Sequence, residues 1–139
     1  MAYNIEDAIS ELKAVSCDTP KKPELPDDKL LAQYEKRIGR QLPEDYKQFL
    51  KQASDVFVGD LNPLIVTASG NAPGELAVAI TDARAMGLPR DWLPICEDNG
   101  NYYCLTDDGT VRFWSHDGAT DEKWHSLAVW IKTVWIDRG

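Results

Sequence analysis

Histidine and cysteine are scarce in this chain, with two and three copies among 139 residues. Cys17, Cys96, Cys104, His116 and His125 fall at no spacing that gathers a zinc ion, so neither a metal centre nor a cofactor is expected. Cys96 and Cys104 flank Asp98-Asn99-Gly100-Asn101, which raises the question of a hairpin disulfide. If Asn99-Gly100 is a two-residue turn, Cys96 pairs with Tyr103 and Ile95 with Cys104, and the thiols point to opposite faces of the sheet. A three-residue loop puts them on one face but out of direct opposition. Free thiols in a reducing compartment are therefore expected.

Long apolar runs are missing as well. None approaches the ~18 residues of a membrane-spanning helix, and the first residues carry neither a basic stretch nor an apolar one of the signal-peptide kind. A cytoplasmic chain without membrane contact is expected. Positive charge is in short supply: 15 Lys and Arg against 23 Asp and Glu leave a net charge of −8. A nucleic acid would meet a repulsive average field, whereas a basic protein partner would be steered in. There is no Walker loop, no Gly-x-Gly-x-x-Gly and no Gly-x-Ser-x-Gly elbow. Ser115, His116 and Asp117 are consecutive, but adjacent residues of an extended chain point in different directions and cannot form a relay. The acidic stretches 97–101 and 107–109 lack the alternating ligands and distal Glu of a calcium loop and read as turns. An enzyme is not expected.

What the sequence does contain is one domain's worth of core, with five Trp, five Tyr and three Phe as large buried units. Asn4 caps a first helix carrying Ile5, Ala8, Ile9, Leu12 and Val15 on one stripe. A polar, proline-bearing connector follows over 16–25. A second helix opens at Asp27 or Asp28, carries Leu30, Leu31, Tyr34 and Ile38, and stops at Gly39. Pro43 is placed to open a third as its first helical residue, with Tyr46, Phe49, Leu50 and Ala53 on its buried face. Residues 56–58 and 64–66 read as short strands. Leu76, Ala79, Ile80, Ala83 and Met86 mark a fourth helix ended by Gly87 and Pro89. Strands over 93–96, 101–106 and 110–115 are joined by the turn pairs Asn99-Gly100 and Asp108-Gly109. A last helix over 126–137 carries Leu127, Ala128, Ile131, Val134 and Trp135, with Trp130 off the stripe. The expected fold is α+β: an antiparallel sheet of about four to six strands with helices packed against it.

The order of these elements resembles the SMI1/KNR4 family of the SUKH superfamily. Residues 35–50, Glu-Lys-Arg-Ile-Gly-Arg-Gln-Leu-Pro-Glu-Asp-Tyr-Lys-Gln-Phe-Leu, are similar to its helix, glycine, Leu-Pro, acidic-Tyr, Phe-Leu signature. Residues 93–105 resemble its strand, acidic glycine turn and strand, although Asn101 stands where family members often carry Asp. The segment 111–117, then Trp124 and the Ser126-Leu127 helix opening, completes the likeness. It is strongest over 26–136 of a single domain spanning 1–139, with 1–25 as an N-terminal helix and connector. What the resemblance implies is an immunity-type protein that neutralises a cognate bacterial toxin by stoichiometric binding. A regulatory scaffold and a small hydrolase are the alternatives.

Residues for such a contact are expected around the hairpin turns. Glu97, Asp98, Asp107, Asp108 and Asp117 would form a negative rim, extended by Asp121 and Glu122, that captures a basic toxin. Trp114, Trp92 and one of the neighbouring Tyr102 and Tyr103 are candidate anchors, since successive strand residues face opposite sides and Trp and Tyr dominate binding energetics.

Overall fold

The computed structural model describes residues 4–16, 25–56, 58, 61–72, 74–98, 100–115 and 117–137. Cys17, Phe57, Gly59, Asn99, His116 and most of the connector lie outside them. Among the described residues there are five helices and a five-stranded antiparallel sheet whose strands neighbour one another in chain order, so the α+β expectation holds.

Each early helix begins where its cap chemistry places it. Asn4 accepts a 2.8 Å bond from the Asp7 amide to start α1, Ile5–Val15. Asp27 does the same for Leu30 at the start of α2, Asp28–Ile38, and Gly39 closes that helix in the left-handed region, φ 75°. α3, Glu44–Ala53, starts one residue later than expected: Pro43 is extended and occupies the cap position itself. Leu76–Ala85 forms α4, and its end departs from the expected stripe. The Gly87 amide bonds the Arg84 carbonyl and the Leu88 amide reaches back to Ala83, a Schellman closure that requires Gly87 at φ 107°. The reversal buries Leu88 and turns Met86 out to solvent. Val15, counted on the stripe of α1, is likewise exposed.

The sheet is a meander of β2, Leu93–Asp98; β3, Asn101–Leu105; β4, Val111–Ser115; and β5, Gly118–Trp124. Asp98 pairs with Asn101, so the first turn has two residues between the strands, and Cys96 lies opposite Tyr103. A bulge at Ile95 then shifts the register, so Cys104 pairs with Pro94 in place of Ile95. Both thiols are free, buried and shifted to higher pKa, chiefly by burial. The second turn is a three-residue loop, 107–109, closed by the Thr106 amide on the Thr110 carbonyl, with Gly109 at φ 83°. β1 is only Asn62–Pro63, paired with β2, while Val56, Val58, Leu64 and Val66 are buried outside any strand.

Both faces of the sheet are covered, which overturns the idea that Tyr102 or Tyr103 stands exposed: they are 8% and 6% accessible. Tyr103 touches the rings of Phe113, Trp124 and Trp130. From Trp130 the contacts run on through Trp135 and Phe49 to Tyr46, linking the sheet to α3. Trp130 joins this core because the last helix changes pitch. Its α-helical turn, α5 at Leu127–Trp130, continues as a π-helix over Ile131–Ile136, and the Asp137 amide bonds Lys132 five residues back. The wider turn brings Trp130 and Trp135, five residues apart, onto one side.

The other large buried feature is polar. Glu75, 1% exposed, is ringed by donors: the Tyr34 hydroxyl at 2.6 Å, the Thr67 hydroxyl, and the amides of Thr67 at 3.0 Å and Ala72 at 3.4 Å. The same Tyr34 hydroxyl accepts a 2.7 Å bond from the Ala77 amide, so a side chain of α2 caps the first turn of α4. No helix among the described residues is long and apolar enough to cross a membrane.

Two outcomes follow from this core. Tyr34→Phe removes a donor to a buried carboxylate together with a helix cap, and should cost about 2–4 kcal/mol in a urea unfolding titration. In a Cys17→Ser background, Cys96 and Cys104 should react with a thiol reagent only as fast as the fold opens. Immediate labelling of either would contradict their placement.

Candidate partner-binding site

A meander puts alternate turns at opposite ends of the sheet, and this divides the expected acidic rim in two. Glu97 and Asp98, at the end of β2, share one end with Asp117 in the β4–β5 turn. Asp107 and Asp108 lie in the β3–β4 turn at the other end, about 15 Å away by strand rise.

The members also differ in what their carboxylates do. Glu97 Oε1 accepts a 3.2 Å bond from the Asn62 side chain, which ties β1 to β2. Asp117 is exposed, and its amide bonds the Ser115 hydroxyl at 3.2 Å. Asp108 is occupied by its own turn, accepting from the Thr106 hydroxyl at 2.5 Å, the Thr110 hydroxyl at 2.7 Å and the Thr110 amide at 3.1 Å. Those bonds, the Thr106 hydroxyl first, hold its carboxyl well below the usual range. Asp107 faces Arg40 at 3.5 Å.

Of the expected aromatic anchors, Trp114 is a core residue, 2% exposed and stacked on Tyr102 with ring centroids 6.2 Å apart. It pairs directly with Tyr102 across β3 and β4, and burial of that face removes both rings from the surface. Burial, followed by the nearby Glu97 and Asp82, raises the Tyr102 hydroxyl pKa. Trp92 is half-buried, with the Arg112 guanidinium 5.2 Å from its ring centroid. Asp121 and Glu122 are exposed on β5, the last strand in the sheet order. Charges there discourage another strand from adding to that edge. Among the described residues no group of three or more His, Cys, Asp and Glu could hold a metal ion.

The chain is thus an α+β domain with an acidic sheet end and a closed aromatic core. The family model SUKH_5, SMI1-KNR4 cell-wall, matches residues 5–136, and the chain belongs to that family. It is similar to the SPbeta prophage-derived uncharacterized protein YokK of Bacillus subtilis, with 27% identity over 143 residues, covering 81% of this chain and 74% of that one. A crystal structure of a protein from Pseudomonas syringae pv. tomato superimposes with a TM-score of 0.86 at 36% identity, covering 95% of this chain and 98% of the other.

The two ends of the sheet should respond differently to the same change. Asp108→Asn removes a carboxylate whose folded pKa is depressed. Its stabilising effect is present above the ordinary Asp pKa of about 3.9 and is lost as pH falls below it. The variant should therefore melt below the native chain at neutral pH, with the gap closing below about pH 4. Asp117→Asn should leave the melting temperature close to native throughout.

Proposed function

We propose that this chain neutralises a toxic bacterial protein by binding it one to one, with no reaction of its own. The acidic end of the sheet, Glu97, Asp98 and Asp117, is the proposed first contact. The observation that carries the reading is the gathering of these three carboxylates at one end of a SUKH-family domain. A net charge of −8 adds a long-range field that favours a basic partner.

The action is occlusion. The acidic end docks over the toxin's active site or substrate groove, excluding a nucleic-acid or other anionic substrate by occupying the same positive surface. A stable complex of this kind buries roughly 1,200–2,000 Å² in total. Rim charges act mainly on the association rate, so capture weakens as salt rises. Tyr102 and Trp114 support the strands beneath the contact and do not enter it.

Co-expression in a bacterial host with the toxic protein encoded beside the gene tests the reading. The native chain should restore growth, and an unrelated member of the family should not. Replacing Glu97, Asp98 and Asp117 together by Lys should slow association by about tenfold or more at low salt. Failure of rescue with both proteins expressed would overturn neutralisation. Full rescue and unchanged association by the triple variant would remove the acidic end from the contact.

A further inference from the structure

A second surface, reached by Asp107 of the β3–β4 turn, gathers arginines from α2, α4 and the approach to β2. Two adjoining cavities, about 460 Å³ and about 700 Å³, share Ile38 and Arg84 and form a groove between the end of α2, α4 and the approach to β2. The smaller is lined by Arg37, Ile38 and Val78 among others, and the larger by Arg40, Arg84 and Arg90. Three aspartates also border the groove: Asp82, Asp91 and Asp107. Four arginines against three aspartates leave a positive excess on a chain whose net charge is −8.

The arginines are positioned by the fold. Arg84 donates from Nη2 to the Arg90 carbonyl at 2.9 Å, while its Nε is buried with no partner. Burial first, then the neighbouring Arg90 and Arg40, lowers the Arg84 pKa. Arg37 lies across Gly70, a buried glycine at φ 72°, where any added Cβ would meet its guanidinium. Gly70 thus lets Arg37 rest against the loop that holds Glu75. Between the charges the surface is apolar: Val78 is 41% exposed on the outer side of α4, next to the half-buried Ile38.

We propose that this groove binds an acidic, partly apolar segment of a protein partner, its carboxylates taken by Arg37, Arg40, Arg84 and Arg90 and an apolar side chain seated on Val78 and Ile38. Guanidinium groups pair with carboxylates in a two-pronged geometry that a lysine cannot match. A lone phosphate would fill one cavity and leave the apolar stretch uncovered, whereas a peptide follows both. The site is independent of the acidic end and needs no toxin.

The probe is a short fluorescein-labelled peptide alternating Glu with Leu, titrated in anisotropy against the full chain, with its Gln-for-Glu counterpart as control. The acidic peptide should bind, and the counterpart about tenfold or more weaker. Arg37→Gln and Arg90→Glu should each weaken it by about tenfold, and Val78→Asp should do so without touching an arginine. Arg90 holds Arg84 through its main chain, so its side-chain replacement should leave the melting curve unchanged. No binding of the acidic peptide, or binding that ignores these variants, would overturn the proposal. Equal affinity for inorganic pyrophosphate in competition would overturn the peptide occupant and make this a phosphate site.

Discussion

The buried Glu75 carboxylate is the constraint around which one half of the molecule is arranged. A lone ionised carboxylate in an apolar interior is strongly unfavourable, and it is tolerated where surrounding donors replace its water. Here they come from three places: Tyr34 of α2, and the main chain and hydroxyl of Thr67 and the amide of Ala72 in the loop before α4. Tyr34 also receives the Ala77 amide, so one hydroxyl both satisfies the acid and caps the helix that follows it. Arg37 and Ile38 lie within about one turn of Tyr34, and Ala77 and Val78 lie just inside α4. Tyr34 therefore ties the two walls of the groove together, through Glu75 and through the Ala77 amide.

The second half depends on ring contacts in place of polar ones. The series from Tyr46 through Phe49, Trp135, Trp130 and Tyr103 to Phe113 and Trp124 joins a helix of the N-terminal half to the last strands. Such pairs add to the burial of their area through offset and edge-on geometry. Trp135 also donates to the Val58 carbonyl at 3.0 Å, which fixes a stretch of non-repetitive backbone to the same core. The π-helical segment is what makes the series continuous, because an ordinary α-helix would carry Trp130 away from the side that holds Trp135.

Much of this was legible from residue patterns, and the parts that were not have specific physical reasons. Asn4, Asp27, Gly39 and Gly87 mark helix ends through local chemistry, and the turn glycines mark the meander. β5 was missed because Gly118–Trp124 is a polar edge strand, Gly-Ala-Thr-Asp-Glu-Lys-Trp, without the alternation that burial on one face imposes. β1 was misplaced because a two-residue pairing at Asn62–Pro63 has no propensity signal at all. Trp130 lay off the stripe only under a 3.6-residue period, which the π-helix abandons. The acidic residues were visible, and their division between two ends follows from the meander once turns are seen to alternate sides. The groove was invisible, since Arg37 and Arg40 come together with Arg84 and Arg90 only after α2 and α4 pack. Trp114 was misjudged because aromatic type alone does not reveal that both faces of the sheet are covered.

The residues that hold the fold together and the charged residues at the ends of the sheet are nearly separate sets. The core is closed by Glu75 and the ring series, and neither reaches the exposed side chains at the ends of the sheet. Exposed charges contribute little to stability: substitutions at such positions usually change it by no more than about 0.5 kcal/mol. A pair such as Arg40–Asp107, with the acid's side chain 73% accessible, is worth no more than about 1 kcal/mol. Asp108 is the exception, because its carboxylate builds the turn it sits in. A surface that can be rewritten at low cost to the fold would suit the neutralising role proposed above, since discrimination between partners comes from placing like charges and unpaired groups against the wrong one.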